Sequence, residues 1–180
     1  MSYKELKSYQ QATIIYDYTV EFCNRYMTYK SNRSYRTYDQ MVQAARSGKQ
    51  NIVEGSTERT SQKSELKLLG VARASFQELL EDYEDFLRQR NLPQWDKNHP
   101  VAEEVRRLVY KANRTYQTYK SYLENPESAA NTIICLINQT NYLLDNQIKS
   151  LEAKFIKEGG YTEKLFNKRI AYKTSKTYRS

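Results

Sequence analysis

Leu69-Gly70-Val71-Ala72-Arg73-Ala74-Ser75-Phe76-Gln77-Glu78-Leu79-Leu80-Glu81-Asp82-Tyr83-Glu84-Asp85-Phe86 reads as part of one long helix. Leu69, Ala72, Phe76, Leu79, Tyr83 and Phe86 recur at steps of 3, 4, 3, 4 and 3. That rhythm gathers them into a single apolar stripe, the heptad pattern of a helix that packs against other helices. An imperfect capping box at Ser61, Ser64 and Glu65, just after Thr60, opens the helix. It ends near Arg90, before Asn91-Leu92-Pro93.

Working outward, the same rhythm recurs. A first helix from about Ser8 to Lys30 aligns Ile15, Tyr18, Phe22, Tyr26 and Tyr29. The cluster Ser31-Asn32-Arg33-Ser34 is a short turn, and short turns join antiparallel neighbours. A second helix from about Tyr35 to Glu54 aligns Tyr38, Met41, Ala45, Gly48 and Ile52. A mid-helix glycine costs about 1 kcal/mol against alanine, so a close neighbour is expected at Gly48. Gly55 stands where a left-handed helix cap is expected.

Residues 91–100 form a loop whose Trp95 is expected to plug the bundle. A further helix at about 101–123 aligns Val101, Val105, Leu108, Ala112, Tyr116, Tyr119 and Leu123 before Asn125-Pro126 stops it. The last long helix, about 127–158, aligns Ile134, Ile137, Asn141, Leu144, Ile148, Leu151 and Phe155. Asn141 either fixes register or oligomer state or marks a seam edge that reaches water. Gly159-Gly160 closes the helix, and no fixed-period repeat points to a solenoid.

Composition agrees with a helical reading. Only 5 Gly and 3 Pro interrupt 180 residues, enough chain for one core. Tyrosine dominates the aromatics, 17 against 5 Phe and 1 Trp. It suits a thin bundle, because the ring is buried while the hydroxyl stays wet. Mean hydropathy is -0.89, no apolar run is long enough to span a bilayer, and MSYKELKSYQQ lacks an apolar signal core. A cytoplasmic protein is expected.

Nothing in the sequence carries catalysis. Cys23 and Cys135 sit in apolar helical stretches without metal-ligand spacing and read as small buried hydrophobes. His99 is alone in a loop, which rules out a di-iron bundle built on paired Glu-x-x-His motifs. Adjacent acids such as Glu81-Asp82, Glu84-Asp85 and Glu103-Glu104 diverge by about 100° on a helix and do not converge as an acid/base pair. No phosphate loop, nucleophile elbow or HExxH is present. No enzyme, no cofactor and no metal are expected.

Charge points elsewhere. The chain carries +8 with a pI near 9.3, a sign that favours polyanion partners. Residues 161–180 hold Lys164, Lys168, Arg169, Lys173, Lys176 and Arg179 against the single acid Glu163, six cations to one acid. Tyr161, Phe166, Tyr172 and Tyr178 are interleaved with them. Either this is a flexible arm that pairs with phosphates and stacks on bases, or a solvated tail that aids solubility.

The most distinctive stretch is Gln40 to Gly55. Gln40, Ser47, Asn51 and Glu54 form a polar strip beside the apolar one, either a subunit or ligand contact or a solvated face. Gln40, Ala44, Ala45, Ser47, Asn51, Ile52, Glu54 and Gly55 resemble the signature Q-x-x-x-A-A-x-S-I-x-x-N-I-A-E-G. That signature belongs to the four-helix-bundle family of 23S rRNA-intervening-sequence proteins and Avd-like accessory proteins of diversity-generating retroelements. Ala72-Arg73-Ala74-Ser75-Phe76-Gln77-Glu78-Leu79 resembles the family's A-x-G-S-x-x-E-L block, and Leu144 to Leu151 resembles L-x-x-x-I-x-S-L. Gly48 stands in place of the usual Ile and Ala74 in place of the usual Gly. The segment at 96–124 enlarges a normally short connection, and the basic tail exceeds the core family, as in its longer suffix-domain subgroup.

The resemblance implies an all-α fold, an antiparallel up-down four-helix bundle over 1–158. The residues of this chain add to it an extra helix at about 101–123, between the third and last bundle helices, and a separate tail at 159–180. The resemblance also implies a homo-oligomer, pentameric in Avd-like members, that binds nucleic acid and a reverse transcriptase or other nucleic-acid enzyme. The expected function is RNA or DNA binding through Arg46, Lys49, Arg107, Lys111, Arg114, Lys164, Lys168, Arg169 and Lys173, with Arg33, Arg36 and Arg106 as further surface cations. Arg107, Lys111 and Arg114 step by 4 and 3 and are expected to share a helix face. The competing expectation is a structural helical protein that docks a protein partner and touches no nucleic acid.

Overall fold

The computed structural model describes residues 2–27, 32–57 and 62–177. The expected turn residue Ser31, the cap at Thr60-Ser61, Tyr29, Tyr178 and Arg179, and the side chains of Arg33 and Lys176, lie outside what is described. Among the described residues all regular structure is helical. Six α-helices follow in order: α1 (Lys7–Tyr26), α2 (Asn32–Thr57), α3 (Gln62–Gln89), α4 (Pro100–Leu108), α5 (Pro126–Glu158) and α6 (Tyr161–Thr177). Short 3-10 helices occupy Tyr3–Glu5 and Tyr116–Glu124.

Local chemistry sets the ends. Asn125 caps α5 by accepting from the Ser128 N–H at 2.8 Å, and Pro126 fills the first turn, where its missing N–H costs nothing. Gly159, at φ 70°, ends α5 in a conformation that L side chains rarely adopt. The Gly160 N–H then donates to Glu163 at 2.7 Å, starting α6.

The core is the meeting of four apolar stripes. α1 packs on α2 and α5, and α3 packs on the same two helices. α1 and α5 run antiparallel. Ser8 meets Gln147, Gln11 meets Gln139 and Tyr18 meets Ala129, so α1 ascends as α5 descends. All six residues of the α3 stripe are buried, as are Ile15, Tyr18 and Phe22 of α1. Phe22 packs edge-on against Tyr83 and Phe86, each at 4.8 Å. Each fully buried side chain of this size contributes about 1.5–3 kcal/mol.

The close neighbour expected at Gly48 is Phe76. A Cβ on Gly48 would lie 2.6 Å from the Phe76 ring, so the missing side chain is the space the ring fills. Gly55, by contrast, is not a cap: α2 continues through it to Thr57 without a left-handed turn. Tyrosine also departs from expectation. Tyr18, Tyr83 and Tyr119 are fully buried, hydroxyls included. Their hydroxyls are satisfied inside the fold: Tyr18 donates to the Ala129 carbonyl, Tyr83 to Thr19 at 3.1 Å, and Tyr119 accepts from Arg114. Asn141 is buried too, its Oδ1 without a hydrogen-bond partner, so the seam edge there does not reach water.

The expected helix at 101–123 is broken. α4 stops at Leu108, and Asn113 takes φ 54°, a left-handed conformation through which no α-helix continues but which Asn tolerates. A 3-10 helix then brings Tyr119 and Leu123 into the core. Trp95 does plug this side. Its N–H donates to Asn131 at 2.7 Å, its indole N–H to Glu127 at 2.9 Å, and its ring stacks on His99 at 4.6 Å. The stretch read as a flexible arm is helical over 161–177, because its Ala, Leu, Lys and Arg content carries helix propensity and a glycine pair gives it a fresh start.

Candidate nucleic-acid interface

The expected cations separate into three groups. On α2, Arg46 and Arg36 are exposed. Lys49 is half-buried, its ammonium 4.3 Å from the centre of the Tyr16 ring, so it braces α2 against α1 rather than facing a partner. Burial raises the pKa of neighbouring Asp17, and Lys49 opposes that rise.

Around α4 the shared face does not exist, since the helix ends at Leu108. Arg107 is exposed and pairs with Glu103 at 3.4 Å. Lys111 is exposed in the turn beyond α4. Arg114 is a staple: its guanidinium donates to Gln11 at 2.8 Å and to Tyr119 at 3.2 Å, tying the connection to α1. Arg106 donates to the Lys97 carbonyl.

The third group is α6. Residues 161–174 are all exposed, including Lys164, Lys168, Arg169 and Lys173 and the aromatics Tyr161, Phe166 and Tyr172. Lys164 pairs with Glu158 at 3.2 Å across the glycine junction.

The polar strip on α2 divides by task. Ala44, Ala45 and Gly55 are buried. The Ser47 and Ser75 hydroxyls bond at 2.9 Å, and Asn51 donates to the Ser47 carbonyl at 2.9 Å, so this part joins α2 to α3. Gln40 opens onto a groove of about 450 Å³ with Ser47, Ser75, Glu78 and Asp82 in its walls, while Glu54 is exposed. Asp82 is pushed up to about 6 by burial and then by Asp85, Glu78 and Glu81. This acidic groove suits no polyanion.

Sequence reading missed a second concavity, a cleft of about 1260 Å³ between the start of α1, the 94–98 loop, the turn after α4 and the middle of α5. Lys7, Lys97, Arg106, Lys111 and Arg114 line it against Asp96 and Glu103. Tyr110 and Tyr142 line it too and are 88% and 68% exposed. A signal was present: both tyrosines lie off the apolar stripes that run through Leu108 and Asn141, where an aromatic has no core to join. Burial raises the thiol pKa of Cys135 in the same wall and pushes that of Cys23, in the core, up to about 12. Such a shift keeps a thiol protonated and works against its acting as a nucleophile. Among the described residues no three His, Cys, Asp or Glu side chains converge to hold a metal, and no helix is long and apolar enough to cross a membrane.

No protein-family model, curated protein or solved structure matches this chain.

Proposed function

We propose that this chain is a non-enzymatic helical protein that binds nucleic acid, with α6 as its principal contact. One observation carries the reading: α6 is exposed along its described length while presenting Lys164, Lys168, Arg169 and Lys173 among Tyr161, Phe166 and Tyr172. Cations spaced along a rod neutralise phosphates of duplex or single strand alike, and exposed rings add stacking only where bases are unpaired, neither requiring a particular sequence. The net charge of +8 acts in the same direction. The antiparallel contacts and the sequence blocks shared with 23S rRNA-intervening-sequence and Avd-like proteins support an up-down four-helix arrangement of α1, α2, α3 and α5. The same resemblance supports a homo-oligomer serving a nucleic-acid enzyme.

The test is filter binding of duplex DNA at two salt concentrations, comparing the intact chain with a Lys168→Ala, Arg169→Ala, Lys173→Ala variant. Binding should weaken with salt by about 0.9 log units per phosphate contact per decade. The variant should bind more weakly at low salt and lose about three such contacts from the slope. An unchanged slope removes α6 from the role.

A second reading has its own support. Leu165 and Ile170 are each 47% exposed on α6, and Ile156 is 82% exposed at the end of α5. Aliphatic side chains offer nothing to phosphate or base, and such a patch is what a protein partner covers. Leu165→Ser with Ile170→Ser should leave nucleic-acid affinity intact if α6 serves nucleic acid. Loss of a larger species in light scattering would instead assign α6 to protein contact.

A further inference from the structure

The cleft lined by α1, the 94–98 loop, the turn after α4 and α5 has no part in the reading of α6, and its lining combines unpaired lysines with exposed tyrosines. On the helix surfaces Arg25, Arg73, Arg88 and Arg107 each sit in an ion pair. Here Lys7, Lys97 and Lys111 come from three different elements, and none makes an ion pair with a described residue. The acids in the wall are already engaged: Glu103 by Arg107 at 3.4 Å, and Asp96 by the Asn98 N–H at 2.6 Å. Tyr110 and Tyr142 line the same cleft and are the two most exposed tyrosines among the described residues. At about 1260 Å³ the cleft exceeds the usual 300–1,000 Å³ of a small-molecule pocket.

We infer that this cleft binds a single-stranded stretch of nucleic acid, the three lysines following its phosphates and Tyr110 and Tyr142 stacking on its bases. The assignment presupposes that the protein binds nucleic acid and adds a chemical class and a place. A duplex keeps its bases stacked inside and offers only phosphates, which the convex surface of α6 meets equally well. Unpaired bases can enter a concavity and lie on aromatic rings. The side-chain amides of Asn138 and Gln139 on the same wall donate to the carbonyls of Ile134 and Arg106, so these two are not available to read a base.

The protein carries its own reporter. Trp95 is its single tryptophan and lies in the cleft wall. The experiment titrates the full chain with a short oligothymidylate and, separately, with a duplex of equal length, following Trp95 emission and total binding by filter retention. The single strand should change Trp95 emission and the duplex should bind without doing so. Tyr110→Ala with Tyr142→Ala, both exposed positions, should weaken single-strand affinity by well over tenfold, since two stacking contacts are lost and each is worth about tenfold. Duplex affinity should stay within twofold, and an unchanged circular dichroism spectrum shows that the variant is folded. Lys97→Ala with Lys111→Ala should lower the salt dependence for the single strand alone. If both ligands bind while Trp95 emission stays constant, or if the tyrosine variant binds the single strand as before, the cleft assignment is overturned and the α6 reading stands. If neither ligand binds at low salt, both fall.

Discussion

α3 and α6 are both helices rich in apolar residues, yet every member of the α3 stripe from Leu69 to Phe86 is buried while the apolar residues of α6 all face water. The two differ in apolar content, and they differ also in period. The α3 stripe steps by three and four and stays on one side. On α6, Tyr161, Leu165 and Tyr172 fall within about 40° of one another, and Phe166 and Ile170 lie roughly 140° further round, with lysines and arginines between. No single neighbouring surface can cover both stripes, so the fold leaves α6 outside. The lesson is that hydrophobic side chains join a core only when their spacing lets one neighbour bury them together.

The comparison is broken most directly by matched truncations. Phe76→Ala in α3 should lose about 3–5 kcal/mol of unfolding free energy, the cost of emptying a packed site. Phe166→Ala in α6 should change it by less than about 0.5 kcal/mol, as for an exposed position. Urea denaturation of the two variants checks both, and similar losses would mean that α6 is part of the cooperative unit.

A finer probe of α3 comes from its neighbour. Gly48→Ala places a methyl against the Phe76 ring. Overpacking costs about 1–3 kcal/mol, against about 1 kcal/mol regained in helix propensity. A net loss of about 1 kcal/mol is expected by thermal denaturation, reduced when Phe76→Leu is added. A gain from Gly48→Ala alone would show that the ring yields without cost.

The smallest effect concerns the acidic side of α3. The carboxyl of Asp82 is raised to about 6 in the fold, above its unfolded value near 3.9. A raised acid destabilises the native state above the folded pKa, and the cost disappears as pH falls from about 6 toward 4. Because the group is half exposed, solvent screening leaves about 1 kcal/mol. Asp82→Asn should therefore stabilise the protein by that amount at pH 7, with the difference from wild type shrinking at pH 5. Equal stability of the two at both values would remove the acidic cluster as a source of strain.

Much of the molecule could be read from its residues. The stripes of α1, α2, α3 and α5, the glycine that demands a close neighbour and the tryptophan that plugs the 91–100 loop all follow from local spacing, because burial at helical period is a local property. The candidate interface was legible only in part. The cations of α6 were evident, but Lys49 and Arg114 look the same in sequence as solvent-facing residues. Their capture by Tyr16, and by Gln11 and Tyr119, depends on side chains brought from other elements.

Sequence alone therefore settled that the chain is helical, where its apolar seams run and where positive charge accumulates, since each is fixed by neighbours within a few turns. The tertiary structure decided which cations stay in water, broke the 101–123 segment at Asn113, and gathered lysines from three distant segments beside Tyr110 and Tyr142. Those outcomes depend on how separate helices meet, which no local period encodes.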